Sequence, residues 1–198
     1  MDLDTFQQLP LRLDPATKAV SAEYADAKLD EELQALNQLH RQLQQSNAPN
    51  HIPPPPIPVD QKRSAQIQKM KDTGNAEFKK GKYADAIRYY SLAIDMAAGR
   101  PVWEPSGLVR EELSQLYSNR AQAHMGTNNW PEGAVDALCS VELKRPKNSK
   151  AWWRRGKCLL EMGRAEEAKE WVAEGLEIEH EPELVSLMQD IEAKLKSS

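Results

Sequence analysis

Apolar and small residues recur at matching positions in three stretches of the chain. The stretches begin near Ile67, Ser114 and Ser149, which lie 47 and 35 residues apart. Aligned from these starts, each copy has small side chains at its eighth and twentieth positions. They are Gly74, Ala121 and Gly156 at the eighth position, and Ala86, Gly133 and Ala168 at the twentieth. Small residues at two fixed places let two antiparallel helices cross closely, so the pattern predicts three helical hairpins.

Bulky apolar residues flank the small positions at helical spacing. They are Met70, Phe78, Tyr83, Tyr90 and Ala93 in the first copy, Tyr117, Trp130 and Leu143 in the second, and Trp152, Leu159, Val172 and Leu176 in the third. Turn residues separate the two helices of each copy. They are Gly81-Lys82, Asn128-Asn129 and Gly163-Arg164. Residues 99–109, GRPVWEPSGLV, form a long insert between the first two copies.

The N-terminal residues predict a small hairpin followed by a helix. Residues 9–13 and 19–23 flank an Asp14-Pro15 turn and predict two short strands. Residues 25–44 predict a helix with one apolar stripe. The stripe consists of Leu29, Leu33, Leu36, Leu39 and Leu43. So small a region offers the stripe little to cover it, so we expect it to contact either the repeats, the hairpin or another protein.

A proline-rich segment and a final helix complete the division of the chain. Residues 46–59 hold six of the thirteen prolines, so 46–60 is predicted to be a stiff linker or, as an alternative, a ligand for a proline-binding module. Pro182 opens a last amphipathic helix that would cap the final repeat. The expected fold is all-α: a solenoid of three hairpins plus a cap in residues 61–198, and a small docking region in residues 1–45.

Composition and charge narrow the function classes. The net charge is -4, and residues 61–198 carry 21 acids and 22 bases, so no basic excess indicates nucleic acid binding. No apolar run approaches the ~18 residues of a membrane span, and the start MDLDTFQQ is unlike a signal peptide, so we expect a cytosolic protein without direct membrane insertion. Cys139 and Cys158 fit small core residues better than a disulfide or a metal site, and no catalytic or cofactor motif stands out.

The three copies resemble the tetratricopeptide repeat (TPR), whose period is about 34 residues. The spacing of 35 residues fits this period, and the spacing of 47 contains the insert. Gly133 replaces a usual alanine and His124 a usual tyrosine, and both changes are compatible with a helical hairpin. The resemblance implies stacked hairpins whose first helices line one groove, with positions 2, 5, 6 and 9 of each copy pointing inward.

Five residues at these inward positions resemble the two-carboxylate clamp of chaperone-binding TPR domains. They are Lys71, Asn75, Asn119, Lys150 and Arg154, and the surrounding motifs KDTGNAEF, LYSNRAQAH and SKAWWRRGKCL match as well. The resemblance implies that they bind the acidic Glu-Glu-Val-Asp tail of cytosolic Hsp70 or Hsp90, without choosing between the two chaperones. Phe78, Gln122 and Lys157 are further candidates for lining the groove.

The charge of this constellation predicts how it responds to mutation. Two lysines and one arginine converge with no acid among the five residues, so they repel one another until an anion fills the groove. We therefore expect Lys71→Ala and Arg154→Ala to lose affinity for an acidic tail without losing stability.

The insert and the N-terminal region narrow the resemblance to the cytosolic TPR subunit of the fungal Sec complex, which serves post-translational translocation into the endoplasmic reticulum. This implies an adaptor on the cytosolic face of that membrane, docked through its N-terminal region on a membrane-anchored partner subunit and recruiting chaperones through its groove. The alternative is a soluble cochaperone with the same clamp and no membrane role. An enzyme is disfavoured, because 60 N-terminal residues leave too little core for a fused catalytic domain.

Overall fold

The computed structural model describes residues 9–24, 26–45 and 59–197. The chain divides into two compact units, Met1–Pro58 with Pro101–Trp103, and Val59–Arg100 with Glu104–Ser198. The proline-rich linker predicted for residues 46–60 lies almost wholly outside the described residues. The predicted boundaries of the docking region, linker and repeat domain therefore stay predictions.

The first unit contains the predicted hairpin and helix. Strands β1 (Leu11–Leu13) and β2 (Val20–Ala22) pair antiparallel, and helix α1 (Ala27–Gln45) follows. The side chain of Asn37 on α1 accepts from Val20 N at 2.7 Å and donates to Val20 O at 2.8 Å, which ties the helix to the second strand. Within the leucine stripe Leu33 is buried, but Leu36 stays 46% exposed. The unit therefore buries only part of its apolar surface.

The second unit consists of three helical hairpins and a last helix, which confirms the predicted TPR architecture. The helices are α2 (Gln61–Lys79), α3 (Tyr83–Ala98), α4 (Ser106–Gly126), α5 (Trp130–Leu143), α6 (Ser149–Glu161), α7 (Ala165–Ile178) and α8 (Pro182–Ser197). Within the described residues, no helix has both the length and the apolar character that spanning a bilayer requires.

The small positions of the repeat lie where the helices cross. A methyl group placed on Gly74 would come within 2.6 Å of the Tyr90 ring, and one on Gly156 within 2.5 Å of Val172. Ala86, Ala121 and Ala168 are fully buried. A larger side chain at these points would separate the two helices of a hairpin, which explains why the repeat carries glycine or alanine there.

The three predicted turns share one backbone feature. Gly81, Asn128 and Gly163 occupy the fifteenth position of their copies and adopt positive φ values of 74°, 56° and 77°. Glycine reaches this left-handed region without strain, and asparagine tolerates it better than most residues. The same turn geometry therefore ends the first helix of every hairpin.

Two apolar clusters form the core of the repeat domain. The first hairpin contributes Ile67, Tyr90 and Ile94, joined by Leu116 from α4. The third hairpin contributes Trp152, Leu159 and Val172, which pack with Leu184, Leu187 and Ile191 of α8. The last helix thus covers the third hairpin, as the predicted cap should. Tyr117, Trp130 and Leu143 of the second copy are only half-buried.

The insert differs from a simple loop between repeats. Helix α4 begins at Ser106, so the second half of the insert forms the first turn of that helix, ahead of the expected start at Ser114. Arg100 anchors the remaining residues from a fully buried position. Its guanidinium donates to both carboxylate oxygens of Glu112 at 2.8 Å, to Ser64 Oγ at 2.8 Å, and to Glu104. Burial lowers the pKa of Arg100, but the bonds to Glu112 and Glu104 outweigh it and raise the pKa above its usual value.

Candidate peptide-binding groove

The five predicted clamp residues line one cavity of about 450 Å³. Lys71 and Asn75 come from α2, Asn119 from α4, and Lys150 and Arg154 from α6. These are the first helices of the three hairpins, which lie side by side because each hairpin stacks on the next. This stacking brings Asn75 and Asn119, which lie 44 positions apart in the sequence, into hydrogen-bond contact.

Arg154 is the most buried member of the constellation, with 7% of its surface exposed. Its guanidinium donates to the backbone oxygen of Ser118 at 2.9 Å, to Ser118 Oγ and to Gln122 Oε1. All three acceptors are neutral, so burial lowers the pKa of Arg154 to about 10. The side chain remains charged at neutral pH, and a buried cation with neutral acceptors is a favourable site for an anion.

The two clamp asparagines are oriented by hydrogen bonds. Asn75 Oδ1 accepts from Tyr90 Oη at 2.7 Å and from Asn119 Nδ2 at 3.3 Å. Because the oxygen of Asn75 is already occupied, its amide N–H groups are left to face the cavity. Burial raises the pKa of Tyr90 to about 12, so the phenol keeps its proton and remains the donor at neutral pH. The Asn75 amide is thus held with its N–H groups available as donors, which suits a carboxylate.

The two lysines stand at the more open side of the cavity. Lys71 is half-buried and donates to Gln115 Oε1 at 3.0 Å, whereas Lys150 is exposed. In the described part of the chain, neither lysine forms an ion pair with a carboxylate. Both ammonium groups can therefore move to a ligand without breaking a salt bridge.

The three additional groove candidates have different positions. Phe78 and Gln122 line a second cavity of about 240 Å³ that shares Asn75 and Asn119 with the first. Lys157 instead pairs with Glu161 one turn further along α6, with 2.6 Å between Nζ and Oε1. Apolar and polar groups thus continue beside the clamp at Phe78 and Gln122, while Lys157 is engaged on its own helix.

Several residues that line the clamp cavity were not predicted from the sequence. Gln115 and Ser118 occupy the second and fifth positions of their copy, so the repeat alignment itself could have identified them. Glu111 lies three residues before the predicted start of the second copy at Ser114, and so outside the alignment. Lys144 and Lys147 come from the end of α5 and the connection that follows it, which the TPR pattern does not include.

The lining of the cavity is strongly positive. Its lining holds five cationic side chains and one acid, Glu111. Among the residues that the structure describes, no group of three or more histidine, cysteine or acidic side chains could hold a metal ion. Cys139 and Cys158 are free, and burial raises the pKa of Cys158 to about 12. The arrangement is suited to holding one or more carboxylates in a fixed geometry.

Comparison with known proteins agrees with this architecture. A tetratricopeptide repeat family model matches residues 131–191. Sec67 of Schizosaccharomyces pombe, a subunit of the ER protein translocation subcomplex, is 40% identical over 143 residues, covering 71% of this chain and 74% of the yeast protein. The chain belongs to the Sec67 family.

Two solved structures have folds similar to that of this Sec67-family chain. A chain in the cryo-EM structure of the Sec complex from Saccharomyces cerevisiae superposes with a TM-score of 0.73, covering 95% of this chain and 98% of that one, at 21% identity. The second TPR domain of human RPAP3, determined with the Hsp70 peptide SGPTIEEVD, superposes with a TM-score of 0.55 at 27% identity, covering 66% and 98% of the two chains.

Proposed function

We propose that this protein is an adaptor that binds the acidic C-terminal tail of cytosolic Hsp70, or Hsp90, and recruits the chaperone to the protein translocation machinery of the endoplasmic reticulum. The observation that carries the proposal is the buried guanidinium of Arg154, which has three neutral acceptors and faces a cavity lined by amide donors and lysines. A terminal carboxylate with an acidic last side chain supplies the two negative charges that this cavity lacks.

Two similarities support the proposal. The RPAP3 domain, whose structure contains an Hsp70 peptide ending in Glu-Glu-Val-Asp, has the same fold. The yeast relative Sec67 is a subunit of an ER translocation subcomplex, and it matches most of this chain. A protein that binds a chaperone tail on the translocation machinery acts through protein–protein contacts, without catalysis.

The peptide SGPTIEEVD is expected to bind the full-length protein with roughly micromolar affinity, because charge-assisted hydrogen bonds are partly offset by the ordering of a flexible tail. Isothermal titration calorimetry with the free acid and with the C-terminal amide tests this. Amidation removes one carboxylate charge, so it should nearly abolish binding, and higher salt should weaken the free acid. Equal affinity of acid and amide would refute the clamp.

A second test of the site is to remove the hydrogen bond that orients the Asn75 amide. Tyr90→Phe removes the donor that occupies Asn75 Oδ1, so the amide becomes free to turn its oxygen toward the ligand carboxylate. We expect the affinity for the tail to fall by about three- to tenfold, in line with one hydrogen bond of about 1 kcal/mol. Tyr89→Phe, on the same helix, is the control and should bind as before. Unchanged affinity of the Tyr90 variant would mean that Asn119 alone holds the amide.

Recruitment to the membrane is proposed to depend on the first unit. That unit exposes Leu11 by 50%, Leu13 by 62% and Leu36 by 46%, and apolar side chains on such a small unit commonly mark an interface. A membrane-anchored subunit of the translocation complex is the proposed partner. Leu13→Asp with Leu36→Asp should release the full-length protein from endoplasmic reticulum microsomes and leave peptide binding intact. Absence of microsome binding by the unmodified protein would favour the alternative, a cochaperone with no membrane role.

A further inference from the structure

Glu111 is an acidic residue in the wall of an otherwise cationic cavity. It lies on α4 one turn before Gln115 and two turns before Asn119, so the three side chains share one face of the helix. The insert lengthens α4 at its N-terminus, and without these added turns the helix would begin at about Ser114. The additional turns of α4 before Ser114 are therefore what carries this carboxylate into the groove.

The Glu111 carboxylate is bound by the kinds of donors that a ligand carboxylate would use. Its Oε1 accepts from Lys144 Nζ and from Gln115 Nε2, each at 2.9 Å, and its Oε2 lies 2.7 Å from Lys144 Nζ. Gln115 in turn accepts from the clamp residue Lys71 at 3.0 Å. The hydrogen bond from Lys144, followed by the one from Gln115, has the largest effect and lowers the pKa of Glu111. The carboxylate is therefore ionised at neutral pH.

Glu111 therefore has two consequences for an incoming anion. It neutralises Lys144, which lines the same cavity and would otherwise face the ligand as an unpaired cation. It also adds a negative charge to the wall along which an acidic peptide must lie. Both effects oppose the binding of acidic side chains. Among the described residues, Arg154, Asn75 and Asn119 form no hydrogen bond with Glu111 or Lys144, so the pair does not engage them directly.

We propose that Glu111 is a built-in competitor carboxylate that sets the selectivity of the groove for acidic peptides. It occupies Lys144 in the empty protein and weakens the binding of the side-chain carboxylates of a tail, while the terminal carboxylate is held by the clamp. The inference rests on the proposed function, since it assumes that the ligand is an acidic peptide tail.

The size of the effect follows from the exposure of the pair. The Glu111 side chain is 44% exposed and that of Lys144 is 32% exposed, so water and salt screen their charges. A partly exposed charge in the cavity wall is expected to change the affinity for an acidic peptide by a factor of about three to ten. The effect is therefore expected to be measurable at low salt and to shrink as salt is added.

Glu111→Gln in the full-length protein tests the proposal. Glutamine can still accept from Lys144 and Gln115, so the contacts to Lys71 persist and only the charge is removed. Glu142→Gln is the matched control, because it removes the same charge from a carboxylate that pairs with Arg145 outside the clamp cavity. Each variant is titrated with SGPTIEEVD and with SGPTIQQVD, in which both glutamates are neutral and the last aspartate keeps its charge.

We expect Glu111→Gln to bind SGPTIEEVD about three- to tenfold more tightly at low salt, with a smaller gain for SGPTIQQVD and no gain in Glu142→Gln. Unchanged or weaker binding by Glu111→Gln, an equal gain for both peptides, or an equal gain in Glu142→Gln would overturn the proposal and leave the proposed function standing. Failure of the unmodified protein to bind SGPTIEEVD would overturn both.

Discussion

Replacing Arg154 by methionine is expected to weaken binding of the Hsp70 tail by at least about thirtyfold and to leave the stability of the empty protein unchanged or slightly higher. Truncating one partner of a buried, charged hydrogen-bonded pair typically costs about 2–5 kcal/mol of binding free energy. Calorimetry with SGPTIEEVD measures the affinity, and urea unfolding followed by circular dichroism measures the stability.

The expected stability follows from the partners of this guanidinium. It is 7% exposed and its acceptors are neutral, so its pKa is lowered by burial. A base with a lowered pKa in the folded state disfavours folding at every pH where it is charged, and neutral pH lies below its value of about 10. Methionine removes that unfavourable charge and keeps most of the volume, whereas alanine would also leave a cavity. Because Arg154 is buried, the expectation for Arg154→Ala changes: the cavity should lower the stability, and methionine is the variant that isolates the charge.

A matched control variant distinguishes the loss of the Arg154 contact from a change in the net charge of the protein. Lys157→Met removes one positive charge from the same helix, at a side chain that pairs with Glu161 and does not line the clamp cavity. It should bind the tail within about twofold of the unmodified protein, since a half-buried charge that is already paired on its own helix contributes little to the affinity. A loss in Lys157→Met as large as in Arg154→Met would mean that the tail responds to overall charge, and the clamp would be wrong.

Much of the repeat domain could be predicted because its signals are local. Glycine and alanine at the helix crossings, and the turn residues at the fifteenth position, act within a single hairpin, so one alignment placed all three. The same alignment placed the five clamp residues around one cavity. The partners of those residues depend on contacts between repeats. Arg154 reaches Ser118 across 36 positions, and spacing on one helix carries no information about such a contact.

The insert was the least predictable part of the repeat domain. GRPVWEPSGLV contains two prolines and two glycines, which favours a loop, yet its last residues belong to α4. The start of that helix is fixed by Pro105 and by the ion cluster of Arg100, whose partners come from three segments of the chain. The buried state of Arg100 cannot be derived from local propensity, because its partners come from distant segments, and neither can the pairing of Glu111 with Lys144, 33 positions away.

Arg100→Ala is expected to lower the free energy of unfolding by about 3–5 kcal/mol, the usual cost of removing one partner from a buried ion pair. Both side chains of the pair with Glu104 are almost fully inaccessible, at 0% and 2% exposure, and Glu112 adds a second carboxylate at 18%. Without the guanidinium, two acids remain close together in a buried site. Arg88→Ala, an exposed change on α3, is the control and should change stability by less than about 0.5 kcal/mol.

Replacing all three members of the Arg100 ion cluster distinguishes the cost of unpaired charges from the cost of lost packing. If the cost comes from the orphaned acids, Arg100→Met combined with Glu104→Leu and Glu112→Leu should recover at least about half of it, since apolar replacement of a whole buried ion cluster is often neutral. No recovery would mean that the side chain of Arg100 is required for packing of the insert. At temperatures where Arg100→Ala remains folded, it should bind the tail, because the clamp atoms lie elsewhere. Arg154→Met should behave in the opposite way, folded but unable to bind, so the two buried arginines separate the fold from the function.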